Sequence, residues 1–109
     1  MKVLVINGSP RKGNTARLLD EAVKVLEEAG AEVFRYDLGT KAVRGCMACG
    51  ACASKGKCVI GDDVPMLAER LAEADGVLVG SPVYYASPNG SLISLLDRLF
   101  ASAYCDLRM

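Results

Sequence analysis

The sequence predicts a doubly wound α/β domain built on a parallel sheet. Three observations carry that expectation. Apolar runs alternate with amphipathic stretches in the order β-α-β-α-β-α, which builds a parallel sheet through right-handed crossovers. The first run, Val3-Leu-Val-Ile6, leads into a polar loop, Gly8-Ser-Pro-Arg-Lys-Gly-Asn-Thr15, at a helix start. The last run, Val77-Leu-Val79, is continuously apolar, as expected of a strand buried on both faces.

The first strand is read over Lys2 to Asn7. A helix follows from Asn14 to about Ala29, with Leu18, Leu19, Ala22, Val25, Leu26 and Ala29 at helical spacing and Gly30 ending it. The second strand covers Ala31 to Leu38. Residues 39–61 form a long irregular segment holding four of the five cysteines, longer than an ordinary connection. Asp62 or Asp63 can cap the second helix, with Pro65 in its first turn and Leu67, Leu71 and Ala74 on one face. The third strand is Asp75 to Gly80. A polar loop, Ser81 to Gly90, leads to a third helix from Ser91 to Ala101, with Leu92, Leu95, Leu96 and Leu99 inward.

This order fits a flavodoxin-like sheet of order 2-1-3 that is incomplete, since strands four and five have no counterpart. The third strand would then offer a bare apolar edge, and the chain reads as the front part of a longer protein. The 109 residues suit a single domain, 1–109, with a cysteine-rich insertion at 39–61. Formal net charge is zero, which argues against a broad electrostatic grip on nucleic acid or membrane. No apolar run is long enough for a membrane span or signal peptide, so the chain reads as cytoplasmic. The cysteines are then thiols, metal ligands or redox groups. With no histidine, Ser-His-Asp triads and His-ligated metals are excluded.

Ligands of doubly wound sheets sit beyond the carboxyl ends of the strands, at the switch point. Adjacent strands whose connections leave to opposite faces would bring the loops after strands one and three together. The first loop keeps the P-loop spacing but carries Asn14 where the lysine should stand, so a monophosphate suits it better than a triphosphate. Backbone N–H groups, the Ser9 and Thr15 hydroxyls, the Asn14 amide and Arg11 can satisfy that anion, with Lys12 solvated. The second loop, Pro82-Val-Tyr-Tyr-Ala-Ser87, offers a planar cofactor ring two aromatic faces. It reads equally as ordinary loop aromatics before the third helix.

Gly8-Ser-Pro-Arg-x-Gly-Asn-Thr15, the cysteine segment, and Gly80-Ser-Pro-Val-Tyr-Tyr-x-Ser87 leading to Leu96-Asp-Arg98 together resemble the NAD(P)H-dependent FMN reductase family. More narrowly, they are similar to its iron–sulfur flavoprotein branch. The resemblance runs along the whole chain. It implies that Ser9, Arg11, Asn14 and Thr15 hold the FMN phosphate, and that Pro82, Val83, Tyr84, Tyr85 and Ser87 flank the isoalloxazine. It also implies an oxidoreductase passing electrons from NAD(P)H to an acceptor, assembled as a homodimer or tetramer. No protein side chain is then needed as a catalytic nucleophile or base.

Cys46-x-x-Cys49-x-x-Cys52, then five intervening residues and Cys58, has the compact spacing of that branch, and the resemblance implies a 4Fe–4S cluster. A four-cysteine zinc site and four uncoordinated thiols remain alternatives. Gly45, Gly50 and Gly56 relieve the backbone turns, and Lys55 and Lys57 could offset cluster charge. Cys105 reads as a small buried hydrophobe. Asp97 and Arg98 read as partners on the third helix or at a subunit contact. The alternative function is a flavodoxin-type electron carrier without substrate turnover. A low-molecular-weight tyrosine phosphatase fits poorly, because the first loop lacks cysteine. A response regulator also fits poorly, because Asn7 stands where a carboxylate is needed.

Overall fold

The computed structural model describes residues 1–104, so the expectation for Cys105 lies outside the described residues. The elements are β1 Lys2–Asn7, α1 Asn14–Glu28, β2 Glu32–Asp37, α2 Ala51–Lys55, α3 Val64–Glu73, β3 Gly76–Gly80, β4 Val83–Tyr84, β5 Ser87–Pro88 and α4 Gly90–Tyr104. The main sheet is parallel in the order β2-β1-β3, with Val3 level with Val33 and Gly76, and Asn7 level with Asp37 and Gly80. The expected α/β architecture and strand order are therefore present.

Alternate residues of β1 feed two cores, as the period of a strand dictates. Val3 and Val5 pack with Leu19 of α1, joined by Val23, Leu26, Val33 and Leu78. Leu4 and Ile6 face the other way, into a larger core with Tyr36, Leu38, Leu67 and Leu71 and with Leu92, Leu95 and Leu99 of α4. Burying each such side chain contributes about 1.5–3 kcal/mol, so β1 is the element whose loss would empty both layers. The chain leaves β1 toward one face and β3 toward the other, which is the geometry of a switch point.

Five expectations need correction. Among the described residues there are four helices rather than three, because α2 forms within the segment read as irregular; Gly50 and Gly56 flank it in the left-handed region. Gly45 is not in that region, and Ala48 is. On α1, Leu18 and Val25 are 73% and 62% exposed, so the apolar stripe is narrower than its spacing implied. On β3, Val77 and Val79 are 42% and 37% exposed: they share the sheet face of Leu4 and Ile6 but, on an edge strand among the described residues, are not packed into that core. Finally, the loop after β3 is a hairpin, with Val83 opposite Pro88 and Tyr84 opposite Ser87. Its two turn residues, Tyr85 and Ala86, have φ of 49° and 61°, the backbone hand of a type I′ turn. Glycine or asparagine normally takes those places, and so the sequence carried no hairpin signal.

The long segment is tied down at its end. The Tyr36 hydroxyl donates to Asp63 Oδ2 at 2.7 Å, and Lys41 Nζ donates to the same oxygen at 3.1 Å. The hydrogen bond from Tyr36, then that from Lys41, holds the Asp63 carboxyl below its usual range. Tyr36 is itself pushed up, first by burial and then by its bond to Asp63. Asp63 occupies the N-cap position of α3, but it is Asp62 Oδ1 that accepts the Val64 N–H, at 3.1 Å.

Two outcomes are expected. Ala86→Gly should stabilise the protein by about 0.5–1 kcal/mol in urea denaturation, since glycine enters the left-handed region without a Cβ clash; destabilisation would count against a strained turn. The stability Asp63 contributes is full above about pH 4, the ordinary carboxylate value, and is lost as pH falls through its lowered folded value. Tyr36→Phe should therefore cost about 1 kcal/mol at neutral pH and leave a shallower acid limb; an unaltered acid limb would contradict the assignment.

Candidate functional site

The loop after β1 is built by its own side chains. Asn7 is buried and bridges outward, its amide donating to Asp37 Oδ1 at 3.0 Å while its Oδ1 accepts the Ser9 N–H at 3.0 Å. Ser9, also buried, donates to the Arg11 carbonyl at 2.9 Å and accepts the Arg11 N–H at 3.3 Å. The loop thus curls on itself before α1 begins. Gly13 stands at the N-cap and supplies no side-chain cap. The N–H groups of the first helical turn have no partner within a helix, and here no side chain closes over them, so they are presented to an anion. Arg11, Lys12 and Asn14 are exposed around this turn, and Thr15 is half-buried. A cleft of about 580 Å³ opens beside the loop on the β2 side, with Ser9, Arg11, Lys12, Gly13, Arg17 and Arg35 among its walls. Arg35 is pinned there by Asp20 and Asp37, and its guanidinium is raised despite burial by its hydrogen bonds to those carboxylates.

The loops after β1 and β3 are joined directly. Gly8 N–H donates to the Gly80 carbonyl at 2.9 Å. Asn89, buried just ahead of α4, donates its amide to the Gly8 carbonyl at 2.7 Å, and its Oδ1 accepts the Ser81 hydroxyl at 2.9 Å. There is no room for side chains at this seam. A Cβ on Gly8 would lie 2.8–2.9 Å from Leu92 atoms, and one on Gly80 would lie 2.8 Å from Leu19 and 3.0 Å from Thr15. Sequence reasoning placed the two glycines in motifs but missed Asn7 and Asn89. An asparagine directly before a helix is an N-cap signal, and that signal was available at Asn89.

The second loop stands beyond this seam on the β3 side. Pro82 is half-buried, Val83, Tyr84 and Ser87 are exposed, and Tyr85 at the turn is fully exposed. The hairpin therefore holds two exposed aromatic side chains just beyond the carboxyl end of β3.

Cys46, Cys49, Cys52 and Cys58 line one cavity, with Arg98, Ala101 and Ser102 of α4. None of the four is in a disulfide. Among the described residues, no three His, Cys, Asp or Glu side chains converge closely enough to hold a single metal ion. Arg98 corrects its sequence reading. It is 1% exposed and pairs not with Asp97 but with Asp62 at the end of the cysteine segment, through two bonds of 2.5 and 2.7 Å. It also donates to the Arg44 carbonyl at 3.1 Å and to Cys58 Sγ at 3.5 Å. The bond to Asp62 raises the guanidinium further above its ordinary range, and the same bond lowers the Asp62 carboxyl. Lys55 and Lys57 are exposed, so water screens their charge in a way it does not screen Arg98. Among the described residues, no helix is long and apolar enough to cross a membrane.

Comparison with known proteins agrees with this arrangement. The family described as NADPH-dependent FMN reductase matches residues 1–108. An iron-sulfur flavoprotein of Methanocaldococcus jannaschii is 42% identical over 99 residues, covering 90% of this chain and 51% of that protein. An iron-sulfur flavoprotein of Archaeoglobus fulgidus is 41% identical over 100 residues, covering 91% and 46%. An FMN reductase (NADPH) of Escherichia coli is 32% identical over 103 residues, covering 91% and 48%. The chain thus spans about half the length of these curated relatives. In fold, it superposes on an NAD(P)H:quinone oxidoreductase from Methanothermobacter marburgensis with a TM-score of 0.75 at 20% identity, over 95% of this chain and 55% of that one. With the match running through both loops and the cysteine segment between them, this chain belongs to the NADPH-dependent FMN reductase family.

Proposed function

We propose that residues 1–109 belong to a single FMN-binding domain of an oxidoreductase, with 39–61 as a cysteine-rich insertion, passing electrons from NAD(P)H to an acceptor in the cytoplasm. The observation that carries this reading is the uncapped first turn of α1, set against a self-bonded loop and locked to the end of β3. The fit is chemical. A monophosphate needs N–H and hydroxyl donors with modest positive charge; Arg11, Asn14 and Thr15 surround that turn with them, and Ser9, whose own N–H and hydroxyl are donated to Asn7 and Arg11, holds the loop in shape for it. The seam leaves no Cβ at Gly8 or Gly80, which lets backbone rather than side chain form the floor. Bound there, FMN supplies hydride acceptance from nicotinamide and onward electron transfer.

The chain's own residues hold and orient. Thr15 and the first-turn N–H groups bind the phosphate, and Arg11 adds charge. Pro82, Val83, Tyr84, Tyr85 and Ser87 shape the ring site from the hairpin, whose rigid turn fixes the two aromatic faces. The exposed Val83, Tyr84 and Tyr85 also support a homodimer or tetramer, because such an apolar surface favours being covered. In the same reading, Cys46, Cys49, Cys52 and Cys58 hold a 4Fe–4S cluster. Four thiols around one cavity supply the ligand number and type that such a cluster takes. The buried arginine in the wall of that cavity, one of whose nitrogens has no acceptor, also suits an anionic occupant.

Titration with FMN, followed by flavin fluorescence, tests the reading. Binding should quench the flavin and raise the melting temperature. Thr15→Val, which removes one hydroxyl at nearly constant volume, should weaken binding about tenfold, the equivalent of one charge-assisted hydrogen bond. No change in fluorescence or melting at saturating FMN would refute it. Steady NADPH oxidation with an added acceptor separates an enzyme from an electron carrier, which would show none.

A further inference from the structure

Arg98 is the least expected side chain in the molecule. An arginine is almost never fully buried unless paired, and this one lies on the inner face of α4 with its side chain wholly covered. Its two terminal nitrogens are spoken for by Asp62, the Arg44 carbonyl and Cys58 Sγ. Its Nε is not, and is the buried side-chain nitrogen or oxygen without a hydrogen-bond partner among the described residues. A buried donor left unmade keeps the whole cost of its desolvation. Such a cost persists where another group satisfies the donor or function requires it.

Arg98 also forms part of the wall of the cavity that the four cysteines line. Its charge is compensated by one carboxylate, Asp62, which is about one-third exposed. A guanidinium held in low dielectric beside a thiol acts on whatever the thiols carry far more strongly than Lys55 or Lys57 can through water.

We propose that Arg98 is a positioning and potential-setting residue for an iron–sulfur cluster in the thiol cavity. It anchors both ends of the cysteine segment to α4 and supplies N–H···S hydrogen bonds, one to Cys58 Sγ and a second from Nε to a sulfur of the cluster. This rests on the cluster reading above. Hydrogen bonds and positive charge at the sulfurs favour the more electron-rich state, so Arg98 raises the reduction potential. Asp62 moderates that effect by partly neutralising the guanidinium.

The test is anaerobic reconstitution with ferrous iron and sulfide, followed by iron analysis and a redox titration read by absorbance and electron paramagnetic resonance. Three variants are compared with the parent protein: Arg98→Met, Arg98→Lys and Asp62→Asn. At a fixed potential, Arg98→Met should lower the ratio of reduced to oxidised cluster about tenfold, about 59 mV for one electron. Arg98→Lys, which keeps the charge and loses the fork, should fall between Met and the parent. Asp62→Asn, whose amide oxygen can still accept the Val64 N–H, should move the ratio the other way. If Arg98→Met does not assemble, the signs for Arg98→Lys and Asp62→Asn decide. Midpoints unchanged in all variants that load iron would overturn the role of Arg98 while leaving the cluster in place. A parent protein that takes up no iron would overturn the cluster reading and this inference with it.

Discussion

The hydrogen bond from Gly8 N–H to the Gly80 carbonyl, 2.9 Å long, is the constraint on which the rest of the site depends. It carries the β1–β3 pairing one residue past the end of β1, tying the start of the first loop to the last residue of β3, from which the second loop departs. Asn89 closes the same seam from the other side, reaching Gly8 and Ser81 from the cap position of α4. Because neighbouring helices fill the space where a Cβ would stand, the two loops cannot separate without unpacking Leu19 on one face and Leu92 on the other. The phosphate turn and the aromatic hairpin are in this sense one rigid body, and pre-organisation of that kind is what lets a site bind without paying again for loop ordering.

A second constraint holds the cysteine segment. Between Leu38 and Val64 the chain has one short helix, and regular structure alone would fix it poorly. Tyr36 and Lys41 grip Asp63, while Arg98 grips Arg44, Cys58 and Asp62. The two anchors leave the four cysteines on a common cavity beneath α4. Polar bonds do here what a hydrophobic core does elsewhere, at the price that removing one partner leaves the other buried and unmade.

Much of this was legible in the sequence. The period of apolar residues marked β1, α1, β2, α3, β3 and α4 to within a few positions. The alternation of strand and helix pointed to a parallel sheet, the flavodoxin-like pattern it fits has the order β2-β1-β3, and the loop compositions pointed to the carboxyl ends of β1 and β3. What was not legible had physical causes. Leu18 and Val25 satisfy a helical spacing that places them near the apolar stripe, but only the tertiary contacts of α1 decide which edge of the stripe is covered. Val77 and Val79 read as doubly buried because a run of apolar residues cannot report how far the neighbouring layer extends over its strand. The hairpin at Tyr85-Ala86 was invisible because its turn uses residues that resist the conformation they adopt. Arg98 was assigned a local partner because sequence shows Asp97 beside it, whereas the true partner, Asp62, is brought near only by the packing of α3 on α4.

The most direct measurement of the central claim is FMN affinity in Asn89→Ser. Serine can still cap α4 but has no amide to reach the Gly8 carbonyl. The account predicts unchanged helical circular dichroism and an FMN dissociation constant raised about tenfold, the loss of about one buried hydrogen bond at the seam. An affinity equal to that of the parent protein would contradict it, showing that the two loops do not need to be joined to form the site.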